Sequence, residues 1–421
     1  MVDHSDGDVR SPAAIDRSEG FGERLLGTMI DRAHEMPPEL IAPLVAEVVA
    51  AIGGRDVAVL LQDYEQLTLV SLPGRGLVVQ EPQPIDGSDA GEAFLTDAMT
   101  ERETGDGVRL FVPLLDGTDR VGVLAFTADS PNADDRRLAR RFGGLLADVL
   151  TTKGMYTDRF FQARRQKRMS LSAEMQWSQL PPLMMTTPQV AVAGALEPAY
   201  DVGGDSFDYA LNDDVLHLAV IDAMGNGLDA AVMSTVVVAA FRHARRGRLD
   251  LPEMYAAMDR AVAAQFPPDH FATAQLARLD VSTGHLQWVN AGHPNPLLVR
   301  DHRVVCALRS PTTLPIGMGG ATPQVSEETL QRGDRVLFFT DGITEERLGD
   351  GEQLGHARLI ALVEQAERER GPVQHTVRRL SHALMDGRGG STSDDATLFM
   401  LEWRGGDADH VARVDLLRPT S

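Results

Sequence analysis

Residues 216–241 read LHLAVIDAMGNGLDAAVMSTVVVAAF, and no other stretch limits the fold as strongly. The run LHLAVI has the length and content of a buried strand. It ends on a carboxylate, Asp222. Two glycines, Gly225 and Gly227, flank Asn226, and a long apolar run at helical spacing follows. Gly permits the sharp bend that such a junction needs. A strand that turns at once into an apolar helix must belong to a layered fold, with a sheet covered by helices. It also sets Asp222 where the backbone leaves the core.

Three more aspartates share this context. Asp205 follows Gly203 and Gly204 in YDVGGDSFDY; Asp341 ends DRVLFFT and precedes Gly342. Asp394, with Asp395 behind it, opens the strand ATLFML after the loose GRGGSTS. Taken singly, each reads equally well as an Asx-turn or cap. Four in one region, each at the edge of an apolar strand, point to a shared rim. Carboxylates gathered there repel one another, and a hard divalent cation removes the repulsion. Mg²⁺ and Mn²⁺ suit oxygen ligands, and two such ions about 3.5–4 Å apart can activate water and clamp a phosphoryl group.

Bulk properties narrow the field. A chain of 421 residues predicts two or three domains. Its net charge of -21 argues against nucleic-acid binding. One cysteine, Cys306, allows no internal disulfide. Its segment RVVCAL predicts a core position. No run of about 18 apolar residues predicts a membrane span, and the polar start MVDHSDGDVR lacks a signal-peptide core. A cytoplasmic protein is the expectation.

Residues 1–19 read as a disordered N-terminus, polar and with little to bury. Over 20–152 the order is helix, helix, two strands, short helix, hairpin, helix. The hairpin is VRLFVPLLDGTDRVGVLAFTA, and the last helix carries a stripe of Leu138, Phe142, Leu145, Leu146 and Val149. This region resembles a GAF domain, a small-molecule sensor fold. The resemblance implies either a ligand pocket or a fold kept for dimerisation. Residues 153–185 read as a helical linker. Its basic run includes Lys153, Arg159, Arg164, Arg165, Lys167 and Arg168. Two readings stand: a joining helix with a solvated basic side, or a short signalling coiled coil in a homodimer.

Residues 186–403 alternate strands with helices at about 227–246, 252–265 and two further runs before a final strand. The class is α+β: two layered sheets flanked by helices. The ordered pieces AEMQWSQLPP, VGGDSFDY, DAMGNGLDAA, FATAQLARLD, GHLQWVNAGHPNPLLV, LPIG, GDRVLFFTDGITE and STSDDATL resemble the bacterial SpoIIE and RsbU branch of the metal-dependent (PPM, type 2C-like) protein serine/threonine phosphatases. The resemblance implies a β-sandwich and a centre of two Mn²⁺ or Mg²⁺ ions. Asp222 would bridge both ions. Asp205 and the Ala223 backbone carbonyl would serve one, and Asp341 and Asp394 the other. A metal-bound water would then attack phosphorus in line. Gly204, Asp208, Gly225, Asn226, Gly342 and Asp395 are candidates to support these ligands. The implied substrate is a phosphorylated regulatory protein, typically a STAS-domain anti-anti-sigma factor.

Two positions depart from the family's habit. Ser206 stands where an aromatic often follows VGGD, and Asn226 where many relatives have His. Asn226 reads as a permissive change that leaves the chemistry to the metals. His293, in NAGHPNP, reads as a loop-holding residue rather than a ligand. An active phosphatase is the first reading. A weakly active or inactive pseudophosphatase acting as a signalling scaffold, and another two-metal phosphoryl enzyme such as a nucleotide cyclase or phosphodiesterase, are the alternatives. Residues 404–421 form a tail of undecided role.

Overall fold

The computed structural model describes residues 19–117, 119–201, 203–320, 322–346, 352–387 and 395–408. The expected disorder of the N-terminus, most of the C-terminal tail and the ligand position Asp394 lie outside these residues. The chain divides into two compact units between Gln166 and Lys167.

The first unit opens with α1 (Glu19–Glu35) and α2 (Ile41–Ala51). Strands β1 (Gly54–Gln62), β2 (Thr68–Ser71) and β3 (Gln83–Pro84) follow, then α3 (Asp89–Thr96). Next come β4 (Thr100–Thr104), β5 (Gly107–Asp116), β6 (Asp119–Ala128), α4 (Ala133–Gly154) and α5 (Arg159–Arg164). The six strands form one sheet in the order β3-β2-β1-β6-β5-β4. The expected helix around GEAFLTDAMTE stops at Thr96, because Asp97 turns left-handed and Thr100–Thr104 pairs with β5 instead. Alternate residues of β1 point to opposite faces. Val59 and Leu61 pack with α2 and α4, while Ala58 and Leu60 pack with Ala90 and Phe94 of α3. Asn132 and Asp135 form a capping box at the start of α4, and the expected stripe buries Phe142, Leu146 and Val149. Each such burial is worth about 1.5–3 kcal/mol.

The second unit starts with α6 (Leu171–Gln179), β7 (Met184–Thr186) and β8 (Val190–Glu197). Strands β9 (Asp205–Asn212) and β10 (Val215–Ala223) lead into α7 (Gly227–Arg246) and α8 (Leu251–Gln265). The chain continues through β11 (Ala272–Asp280), β12 (His285–Ala291), β13 (Leu297–Arg300) and β14 (Arg303–Ala307). Two short strands, β15 (Thr312–Thr313) and β16 (Ser326–Thr329), precede β17 (Arg335–Phe339). Helices α9 (Asp341–Glu345), α10 (Gly355–Glu367) and α11 (Val373–Gly387) and strand β18 (Ala396–Trp403) complete it.

Two sheets result: β15-β12-β11-β10-β9, with β16 on β12, and β14-β13-β17-β18-β8-β7. Between them lies a core that includes Val192, Phe207, Leu218, Val220, Phe338 and Phe399. On the outer side of the first sheet, Ile221 and Ala219 meet Val237, Phe241 and Met258 of α7 and α8. On the outer side of the second, Leu337 and Leu398 meet Val363, Val377 and Leu380 of α10 and α11. The layers are therefore helix, sheet, sheet, helix, as expected. A Cβ on Gly194 would lie 2.4 Å from the Phe207 ring, so a glycine there is what admits the aromatic to the core.

Two expectations fail. The segment 153–185 is not one helix. Helix α5 packs on the first unit, where Arg164 stacks 4.6 Å from the Tyr64 ring centroid and donates Nε to the Gln62 carbonyl (2.7 Å). Helix α6 belongs to the second unit, and Trp177 donates its Nε1 to the Ala199 carbonyl (2.7 Å). Each short helix is anchored to its own unit by these side chains, and residues 165–170 between them are not helical. Cys306 is exposed, not buried. Its strand, β14, is the edge of its sheet, so the apolar run RVVCAL covers little. Among the described residues no helix is long and apolar enough to cross a membrane.

Candidate metal centre

Side-chain parity places the site. In β9, Phe207 and Tyr209 face the core between the sheets, so Asp205 faces the same way. In β10, Leu216, Leu218 and Val220 face that core, and Asp222 continues their row. Asp205 and Asp222 are direct cross-strand partners. In the opposite sheet, Val336 and Phe338 of β17 point inward, and Thr340 extends them. Phe399 and Leu401 of β18 do likewise, and Thr397 and Asp395 precede them in register. At one end of the sandwich, then, the inner faces exchange apolar side chains for carboxylates and hydroxyls.

Hydrogen bonds tie this rim together. The Thr340 hydroxyl donates to Asp205 Oδ2 (2.6 Å) and accepts from the Thr397 amide (2.9 Å), joining the two sheets. Asp395 Oδ2 accepts from the amides of Gly203 and Gly204 (2.6 Å each). The Gln176 side-chain amide of α6 donates to the Asp205 carbonyl. Asp341 opens α9 directly after Thr340 and is half-buried. Close backbone approaches explain two glycines: a Cβ on Gly204 would lie 2.4 Å from the Ala223 carbonyl oxygen, and one on Gly342 1.8 Å from that of Asp395. Gly225 and Gly227 take φ of 93° and 68°, the left-handed region that favours glycine.

Electrostatically the rim is unbalanced. Burial, then the neighbouring charges of Asp222 and Asp395, push the Asp205 carboxyl well above the usual carboxylate range. A divalent cation beside Asp205 and Asp222 would reverse that shift, and an all-oxygen set suits a hard ion. The donor set therefore fits Mg²⁺ or Mn²⁺ in kind. Among the described residues no three His, Cys, Asp or Glu side chains are gathered closely enough to hold an ion.

The candidates sort as follows. Asp205, Asp222 and Asp395 are neighbours, Gly204 lies against the Ala223 carbonyl and Gly342 against that of Asp395, and Asp341 follows Thr340 at the same end of the sandwich. Asn226 is the exposed N-cap of α7, and its side chain makes no capping hydrogen bond. Asp208 is not brought to the rim. It lies three residues from Asp205, on the opposite face, and pairs with Arg242 and Arg245 of α7 (2.7 Å each). His293 is buried and holds its loop. Its Nδ1 is hydrogen-bonded to Thr273 Oγ1 (2.7 Å), and its backbone exchanges hydrogen bonds with the Asn290 side chain. Burial lowers its pKa to about 3, so it stays neutral. Thr273 is the cross-strand partner of Asp222, which links that loop to the rim. Thr340, Thr397 and Gln176 were not among the sequence candidates. Only the parity of TLFML and VLFFT signals the two threonines.

Thr340→Val tests the tie between the sheets. Two buried hydrogen bonds vanish and the Thr397 amide loses its partner, so stability should fall by about 1–3 kcal/mol. Chemical denaturation measures this; an unchanged midpoint would show that the link carries no load.

Residues 212–404 match the family model described as Stage II sporulation protein E (SpoIIE). That span contains Asp222 and Asp341 but begins after Asp205. The phosphoserine phosphatase RsbP of Bacillus subtilis is 26% identical over 163 residues, 37% of this chain and 40% of that protein. The phosphoserine phosphatase RsbU of the same organism is 22% identical over 206 residues, 48% of this chain and 60% of that protein. Each match thus spans less than two thirds of the relative. Among solved structures, the RsbU and RsbW domains of a Mycobacterium tuberculosis protein align over 52% of this chain and 63% of theirs, at 29% identity and a TM-score of 0.46. The SiaA PP2C domain of Pseudomonas aeruginosa aligns over 55% of this chain and 94% of its own, at 21% identity and a TM-score of 0.48. Folded as a helix-flanked sandwich with carboxylates on its inner rim, the second unit carries a domain of the SpoIIE family, the family model being matched over residues 212–404.

Proposed function

We propose that this chain is a metal-dependent protein serine/threonine phosphatase acting on a phosphorylated regulatory protein. The observation that carries this is the pairing of Asp205 with Asp222 at the inner rim, with Asp395 close enough to raise the Asp205 pKa. Asp222 would bridge two Mn²⁺ or Mg²⁺ ions. Asp205 and the Ala223 carbonyl would hold one, Asp341 and Asp394 the other. Bound there, the ions supply a nucleophile from water and neutralise charge on the phosphoryl oxygens.

The protein's own part is positioning. Thr340 fixes the Asp205 carboxylate against the second sheet. Asp395, held by the Gly203 and Gly204 amides, pins the loop that precedes Asp205. No protein nucleophile is required, so Ser206 and Asn226 are free of catalytic duty. Met224 and Leu228, 36% and 45% exposed, flank the Asp222 turn and offer an apolar surface suited to a polypeptide. The relatives RsbP and RsbU, named as phosphoserine phosphatases, favour phosphoserine. An anti-anti-sigma factor of the STAS type is the substrate we would test first. The first unit would be a GAF-like sensor that controls this activity, with a small-molecule ligand and a homodimer as its means.

The full chain, stripped with EDTA, should release no phosphate from a phosphoserine STAS protein. Mn²⁺ should restore release in a saturable manner. Hydrolysis that survives chelation would defeat the two-ion reading.

A further inference from the structure

The acidic chain has a conspicuously basic recess among its described residues. It is an open cavity of ≈ 840 Å³ on the helix side of the first sheet, between β9, β10, β11 and the C-terminal end of α7. Arg245, Arg246, Arg248 and Arg278 line it, with His217 on its floor; Asp213 is the acidic residue among the lining. His217 and Arg278 are cross-strand partners, so their side chains leave the sheet side by side.

Two atoms in this recess lack a protein partner among the described residues: His217 Nδ1 and Arg278 Nε, both buried. His217 is only 9% exposed. Buried polar atoms are paired in the great majority of cases, so two orphans behind one cavity wall mark that wall as strongly polar, while the groups open to a ligand are the arginines. Arg245 is already held by Asp208 (2.7 Å), which fixes its guanidinium against the cavity wall. Arg246 and Arg248 stand exposed at the mouth. Planar guanidinium forks that converge in this way match phosphoryl oxygens. Burial, and then the neighbouring Arg278 and Arg245 charges, lower the His217 pKa to about 4. Neutral His217 can then donate one hydrogen bond without adding charge.

This recess is separate from the metal centre. His217 lies five residues from Asp222 along β10, roughly 16 Å at the usual strand rise. Five is odd, so the two side chains leave opposite faces of the sheet.

We propose that this recess binds a diphosphate-type anion, with its phosphoryl oxygens on Arg278, Arg246 and Arg248 and against His217. Two sources share that chemistry: a nucleoside di- or triphosphate, and inorganic pyrophosphate or polyphosphate. Leu211, Val215 and Leu249 in the wall could receive a base.

The test is calorimetric titration of the full chain in EDTA with inorganic pyrophosphate, then with ATP, at fixed salt. One saturable site per chain is expected. The surface double variant Arg246→Ser/Arg248→Ser should weaken it at least about tenfold, or ~1.4 kcal/mol. Arg278→Gln should do the same, whereas Asp222→Asn should bind as the parent does. Tighter binding of ATP than of pyrophosphate assigns a nucleotide; equal binding assigns the bare diphosphate. No saturable heat with either probe, or binding unchanged in both arginine variants, overturns the proposal. So does binding that is lost in Asp222→Asn.

Discussion

Asp222→Asn should abolish phosphoserine hydrolysis, with kcat down by at least about 10³-fold, or ~4 kcal/mol of barrier. The substitution keeps the shape and removes one negative charge where two ions would share it. Because Asp222 is half-buried and directly opposite Asp205, its loss has a second consequence. The Asp205 carboxyl is pushed up first by burial and then by Asp222. Removing that neighbour should make the metal-free protein no less stable than the parent, and by up to about 1 kcal/mol more so, as active-site charges are held against stability. Activity, Mn²⁺ titration and urea denaturation should therefore disagree in sign: function lost, metal affinity lost, fold retained. A variant that still turns over at a tenth of the parent rate would mean that Asp222 does not bridge the ions.

Much of this site was legible because strand parity is rigid. VIDAMGNG and DRVLFFTDG each show an apolar strand ending in a carboxylate, and the same count of two that orders the core carries Asp205 and Asp222 to one face. The same count would have removed Asp208, an odd step from Asp205, since only its pairing with Arg242 and Arg245 explains its burial. What the sequence hides is contact at a distance. Nothing local marks Gln176 as the residue that holds the Asp205 carbonyl, or Thr340 as the bridge between sheets. Cys306 misled for the opposite reason: a strand's apolar content does not say whether it lies at a sheet edge. The basic run after Lys153 looked like a solvated helix face, yet Lys153 is buried and Arg164 stacks on Tyr64. Short strands such as β7, β15 and β16 owe their pairing to neighbours rather than to their own residues.

Glu367→Ala should destabilise the second unit by about 3–5 kcal/mol. The Glu367 side chain is fully buried and serves three partners: Arg335 Nη1 (2.6 Å), Thr376 Oγ1 (3.0 Å) and His302 Nδ1 (2.9 Å). Its removal strands the Arg335 guanidinium, itself 8% exposed, with only Glu402 (3.0 Å) as a charged partner. The cost comes from a buried guanidinium left with one carboxylate instead of two, and not from the loss of a favourable pair, since the desolvation of both ions offsets most of their attraction. That distinction is testable. Glu367→Gln keeps hydrogen-bond capacity and should cost less, whereas the double variant Arg335→Met/Glu367→Leu should recover most of the loss. All three tryptophans, Trp177, Trp288 and Trp403, lie in the second unit, so fluorescence during urea denaturation reports on that unit alone. If the double variant is as unstable as Glu367→Ala, the network contributes through specific geometry and not through charge balance. If Glu367→Ala costs under about 1 kcal/mol, water reaches Arg335 and the pair is not buried in solution.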